Sequence, residues 1–241
     1  MAEKRNKAAR AVKKNPRQSQ RAETEPHYLK GKPSPNRGKK FPVEVLTEDE
    51  VRALIGACSN RAPTGIRNRA LIVVLWRAQL RVSEVLSLTP KDLDADVGTV
   101  RVLHGKGDKA RLVGMDADAF TVIERWMDKR RELGINGRGT RPLFCTLKGD
   151  RMQWAYVDAM LKRKAAKAGI EKRIHAHGLR HSGAAEMRAE GMDIGIISKQ
   201  LGHSSIATTA RYLDHIAPHM VIEVMRKRSG WLSNGERSEN P

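Results

Sequence analysis

Apolar residues recur at helical spacing through most of the chain beyond Leu46. Thr47 followed by Glu50 makes a capping-box signal, and Val51, Leu54, Ile55 and Cys58 then mark one helical face. A second helix is predicted from about Thr64 to Ala78, with Ile66, Ala70, Val73, Val74 and Trp76 facing inward, and a short one from Val82 to Leu88. The period then switches. Residues 99–103 and 110–113 alternate as two short strands, and the segment 104–109 between them carries Gly105 and Gly107, suited to a hairpin turn. Helices resume over 116–133, 154–168, 179–189, 194–201 and 206–212, with Gly134, Gly169 and Gly191 where helices should end. A last amphipathic stretch runs from Pro218 to about Arg228, with Met220, Val221, Val224 and Met225 apolar; residues from Ser229 onward read as a frayed tail, 229–241. The pattern predicts an α+β, mainly helical domain with a small antiparallel sheet.

Charge changes this picture at the N-terminus. The chain of 241 residues carries a formal net charge of +19. Residues 1–42 hold thirteen Lys or Arg against three Glu, together with five prolines and few apolar residues. Such a segment cannot bury enough surface to offset its ordering entropy and reads as a flexible basic arm, 1–42, ahead of a domain over 43–228. A surplus this large favours a polyanion, because each neutralised phosphate releases counterions. Charge alone leaves DNA, RNA and acidic membranes open.

Other classes are set aside more directly. No run of apolar residues is long enough for a membrane span, and the basic N-terminus has no apolar segment behind it to serve as a secretory signal. The two cysteines, Cys58 and Cys145, stand far apart and outside any metal-ligand spacing. A reducing, cytoplasmic setting is expected, with Cys58 a small buried hydrophobe.

Four local patterns carry candidate chemistry. They are Leu80-Arg81-Val82-Ser83-Glu84 at a helix junction, Gly105-Lys106-Gly107 in the hairpin, His177-Gly178-Leu179-Arg180-His181 at a helix entry, and Leu201-Gly202-His203 with Tyr212 nine residues after the histidine. Each alone has an ordinary explanation: a surface ion pair, a solvated turn, a helix-face accident, a core tyrosine. The set is different. Two arginines can grip the non-bridging oxygens of a phosphodiester, and two histidines can exchange protons near neutral pH. A lysine on a hairpin can protonate a departing alkoxide, and a tyrosine can attack phosphorus and hold it covalently. That is a kit for phosphoryl transfer using no metal and no cofactor.

The order Arg, Lys, His-x-x-Arg, His, Tyr resembles the signature of the tyrosine recombinase (phage integrase) family. Residues 105–111 look like its lysine hairpin, and Leu201 through Tyr212 read like its final box almost throughout. The resemblance spans about Leu46 to Arg228 and implies a tyrosine-recombinase-like catalytic domain. It implies that Arg81 and Arg180 clamp the scissile phosphate and that Tyr212 attacks it, leaving a 3′-phosphotyrosyl link and a 5′-hydroxyl. Lys106 would be the general acid for that oxygen, His177 would help move the tyrosine proton, His203 would support the phosphate, and Glu84 would hold the Arg81 region from behind. The implied partners are double-stranded DNA, further copies in a homotetramer on DNA, and an accessory DNA-binding protein. The apolar stripe near the C-terminus could serve docking between protomers or pack on its own domain.

Two departures stand out. Gln79 occupies a place where the family usually has glycine, so a strained turn is expected ahead of Arg81. Family members also usually carry a helical core-binding domain before the catalytic one, where this sequence shows the basic arm. Two readings stay open: a recombinase or integrase, and a DNA-binding remnant or regulator that keeps the residues without productive strand exchange. A basic RNA-binding protein would account for the arm but leave the ordered motifs unexplained.

Overall fold

Helix α1 (Glu48–Gly56) starts where the capping box requires: the Thr47 hydroxyl accepts from the Glu50 N–H and the Glu50 carboxylate accepts from the Thr47 N–H. The computed structural model describes residues 44–103, 110–135, 141–216, 222 and 225–226. The basic arm, Lys106 with its hairpin turn, the frayed tail, and Met220, Val221 and Val224 of the apolar stripe lie outside the described residues.

Helix α2 (Pro63–Arg77) begins with Pro63 in its first turn, where a missing N–H costs nothing, and buries Ala70 through Trp76 without interruption. A helix apolar on all sides belongs in the centre of a domain, and α2 packs against α1, against α4 (Ala117–Glu132) and against α6 (Ala176–Ala189). Two polar groups in this core are paired with backbone carbonyls: Arg67 donates to that of Cys145 at 2.9 Å, and the Trp126 indole to that of Leu143 at 2.8 Å. Both cysteines are free and buried.

Between α3 (Val82–Ser87) and α4 the chain forms the expected antiparallel sheet, with strands β1 (Leu93–Asp94), β2 (Thr99–Val102) and β3 (Arg111–Gly114) in sequential order. Val100 pairs with Val113 and faces the core, whereas Arg101 and Leu112 pair on the outer face. The third strand, β1, was not expected; two residues are too short to show a period.

Helix α5 (Trp154–Lys167) packs on α1 and leads to α6, which starts three residues before the predicted Leu179. The cap is His175, an unusual choice, whose Nδ1 accepts from the Gly178 N–H at 2.8 Å. Helices α7 (Ile194–Leu201) and α8 (Ile206–Ile216) complete the described fold, and α8 continues past the predicted end at Tyr212. Helix α7 stops at Gly202 in the left-handed conformation (φ 64°), which turns the chain toward α8. Ala184, Met187, Ile197, Leu201 and Leu213 join α6, α7 and α8 in a small apolar cluster of their own, and Tyr212 leans on it.

Helices α2 and α6 approach closely at Gly183. A Cβ there would stand 2.2 Å from the Trp76 carbonyl oxygen, which is backbone and cannot turn aside. On the same helix, Ser182 Oγ accepts from the Leu46 N–H at 2.9 Å and fastens the chain entering α1 to α6.

Candidate active site

The site is assembled from helix ends. Gln79, just after α2, adopts a left-handed backbone (φ 47°), the only non-glycine residue to do so among the described residues. Its buried side chain holds the turn by donating to the Trp76 carbonyl at 2.8 Å and accepting from Gln200 Nε2 at 3.0 Å. The strain expected at this position is therefore present, and hydrogen bonds fix it. The turn aims the Gln79 carbonyl at Arg180, which donates to it through Nη1.

Arg180 is 1% exposed, and its Nη2 donates to the Leu201 carbonyl. It thus ties the turn before Arg81 to the end of α7. Burial lowers its pKa to about 10, which leaves it charged at neutral pH. Loss of Arg180 would remove a charge from the site. The structure adds a cost to folding, because the same guanidinium joins two elements.

Arg81 stands at the start of α3, partly exposed, and donates through Nη1 to Glu84 Oε1 at 2.8 Å. Glu84 is 2% exposed, and Arg111 of β3 also pairs with it, Nη1 to Oε1 and Nη2 to Oε2, each at 2.9 Å. Burial alone would raise the carboxyl's pKa, but hydrogen bonds from Arg111 and from the Arg81 backbone overcome this and hold it below the usual value.

Tyr212 lies among histidines. Its ring stacks on His181 with centroids 4.8 Å apart and meets His203 edge-on at 5.3 Å; His177 is 6.5 Å away and touches His181 at 4.3 Å. His177 and His181 are neighbours because four residues make one helical turn. His203 is held by a hydrogen bond of 2.9 Å between its Nδ1 and the buried Thr209 hydroxyl. Beside it opens a cleft of about 520 Å³ lined by Arg111, Lys199, Gly202 and Ser204, among others.

The electrostatics follow from this packing. The Tyr212 ring is partly covered, but its hydroxyl is buried and has no hydrogen-bond partner of good geometry among the described residues. Burial pushes its pKa up to about 12, although Arg180 pulls the other way. Burial first, and then the charge of Arg180, lowers His203 to about 4. His177 is exposed at the surface, yet the packing around its ring and then the same Arg180 also lower it to about 4. The free site therefore pairs two fixed guanidinium groups with neutral imidazoles and a neutral phenol.

Residues 44–219 match the phage integrase family. The chain belongs to that family. Among integrase-family relatives, the tyrosine recombinase XerD of Ralstonia nicotianae is 36% identical over 174 residues, which cover 72% of this chain and 56% of that protein. The chain thus spans a little over half the length of that relative. A crystal structure of XerA recombinase superimposes with a TM-score of 0.66 at 31% identity, covering 80% of this chain and 69% of the other. The XerH site-specific recombinase bound to palindromic difH substrate, a post-cleavage complex, gives 0.63 at 27% identity over 80% and 55% of the two chains. The expected integrase fold, mainly helical with a small antiparallel sheet, is the one observed. No helix among the described residues is long and apolar enough to cross a membrane.

Of the integrase residues predicted from sequence, Arg81, Glu84, His177, Arg180, His203 and Tyr212 come together, and Lys106 lies outside the described residues. Arg111 and His181 stand inside the quoted motifs but were given no role, and Gln200 was not singled out. Helical spacing from His177 could have flagged His181. Arg111 meets Glu84 across 27 residues and two elements, and no local pattern announces that contact.

Proposed function

We propose that this domain cuts and rejoins duplex DNA through a covalent bond to Tyr212, as a site-specific recombinase or integrase. The phenol oxygen attacks the scissile phosphorus, the bond to the 5′ oxygen breaks, and a 3′-phosphotyrosyl link and a 5′-hydroxyl result. Arg81 and Arg180 hold the non-bridging oxygens, where charge grows in the transition state. His177 takes the phenol proton, His203 hydrogen-bonds the phosphate, and Lys106 protonates the departing oxygen. The link keeps a phosphodiester's energy, so a 5′-hydroxyl from another strand reverses the sequence and joins new partners. No metal or nucleotide enters the scheme.

One observation carries this reading: the Tyr212 ring sits within 6.5 Å of the rings of His177, His181 and His203, and the Arg180 charge is close enough to lower the affinity of two of these imidazoles for protons. The nucleophile is neutral while the site is empty. An arriving phosphodiester places negative charge between the arginines and raises the proton affinity of His177, so the base strengthens when the substrate is in place. XerH, seen with its difH substrate after cleavage, makes DNA the natural partner. The same reading includes a homotetramer on DNA and leaves room for an accessory DNA-binding protein.

The test is covalent trapping on a pool of nicked, randomised duplexes, in which the freed fragment diffuses away. Wild type should yield an adduct that survives denaturant, and Tyr212→Phe should not. Salt-sensitive binding without any adduct would favour the regulator or remnant.

A further inference from the structure

The Glu84 carboxylate is saturated. Oε1 accepts from Arg81 Nη1 at 2.8 Å and Arg111 Nη1 at 2.9 Å, while Oε2 accepts from the Arg81 backbone N–H and Arg111 Nη2, both at 2.9 Å. A carboxylate offers about four lone-pair positions, and all of them are used here. The two arginines share it unequally. Arg111 makes the parallel two-point pair, and Arg81 gives one side-chain nitrogen. The Arg111 side chain is 15% exposed, against 29% for Arg81.

Gly202 makes room for this arrangement. A Cβ on that glycine would come within 2.6 Å of Arg111 Nε, so the Arg111 side chain runs under the left-handed turn that precedes His203. Arg111 therefore touches three of the sequence motifs: it ends the hairpin segment, pairs with Glu84 of the first motif, and passes beneath the last.

We propose that Arg111 is a positioning residue that occupies Glu84 so that Arg81 can present the rest of its guanidinium to a phosphate. The inference rests on the strand-cleavage reading for its use, but its physical content is an anion site at Arg81. Without Arg111, a buried carboxylate would lose two donors, and the nearest replacement is Arg81, already in contact. Arg81 would close onto Glu84 in the two-point geometry that guanidinium and carboxylate prefer. The phosphate would then lose one of its two clamps.

The experiment follows the Arg81 Nε–H resonance of the full chain during titration with inorganic phosphate. Wild type should respond, and Arg111→Ala should bind phosphate at Arg81 roughly tenfold more weakly or worse. Adding Glu84→Gln to Arg111→Ala should recover most of that loss, because a neutral amide offers one acceptor oxygen and no charge, and so holds a guanidinium far more weakly than a carboxylate does. A merely structural role predicts the reverse, a double variant no better than the single. If Arg111→Ala fails to fold, Arg111→Lys with and without Glu84→Gln carries the same comparison, since lysine cannot make the two-point pair. A wild type silent to phosphate at Arg81, an Arg111→Ala that responds like wild type, or a double variant without recovery overturns the proposal. The adduct assay is scored separately: a phosphate response with no Tyr212-dependent adduct defeats the cleavage reading and leaves this one standing.

Discussion

The ring of Tyr212 lies nearly flat on that of His181, with planes 21° apart. Helix α6 thus supplies both the Arg180 guanidinium and a platform for the Tyr212 ring. An aromatic pair of this kind contributes about 0.5–1.5 kcal/mol. His181→Ala should slow adduct formation by roughly three- to tenfold, and His181→Phe, which keeps a flat face, should stay near wild type. Equal rates from the two variants would show that stacking is not what holds Tyr212.

The shifts at His177, His203 and Tyr212 each add a pH-dependent part to stability. His203 and His177 are held at about 4 in the fold, below their ordinary 6.5, so the unfolded chain binds more protons between those values. Their contribution is complete above about pH 6.5 and is lost as pH falls toward 4, with the larger share from His203 because His177 is exposed and solvent screens it. Tyr212 runs the other way: raised from 10.0 to about 12, it stabilises fully below pH 10 and loses that effect as pH rises toward 12. Melting curves across this range should carry both limbs, the alkaline one reduced by Arg180, whose lowered pKa makes stability rise with pH above about 10. Tyr212→Phe should flatten the alkaline limb alone, and His203→Gln the acid one. An alkaline limb unaltered in Tyr212→Phe would mean that the phenol is not held neutral by burial.

Gln79 separates backbone strain from side-chain bonding. Gln79→Ala keeps the left-handed backbone and removes the bonds to Trp76 and Gln200, whereas Gln79→Gly removes the bonds and the strain together. Glycine should therefore be the more stable of the two by about 1 kcal/mol, a difference of roughly 2–4 °C in Tm for a domain of this size. Thermal melts of the pair decide this, and an alanine variant as stable as the glycine one would show that the turn relaxes freely.

Gly183→Ala should be among the most damaging small substitutions. The added methyl would meet the Trp76 carbonyl and, at 2.7 Å, the Gln79 amide, so α6 must move away from α2. Overpacking of this sort costs about 1–3 kcal/mol. The shift would also separate Arg180 from the Gln79 carbonyl, so adduct formation should fall by more than the stability loss accounts for. Urea titration alongside trapping tests both parts.

Much of this was legible in the sequence because the signals are local. Periodicity located the helices, the Thr47–Glu50 box marked the start of α1, and the glycines at 134, 169 and 191 do adopt the left-handed conformation that ends a helix. The candidate site residues could be named because each stands in a short motif. What escaped depends on contacts between distant segments or on unusual chemistry. His175 is a rare cap, so the start of α6 was read three residues late. Gln200 bridges Gln79 and the edge of β3, accepting from the Gly114 N–H at 3.0 Å and donating to its carbonyl at 2.8 Å, which nothing near residue 200 foretells. The partnership of Arg111 with Glu84 is of the same kind.

The bond from the Leu46 N–H to Ser182 has a mechanical consequence. Ser182 lies two positions beyond Arg180 on the same helix, so part of any pull on the chain ahead of α1 is borne by the helix that carries Arg180. The load is shared with two neighbouring bonds, from the Arg173 N–H to Glu44 and from Lys172 to the Val45 carbonyl, so the segment entering α1 is anchored at successive residues to α6 and to the chain just before it.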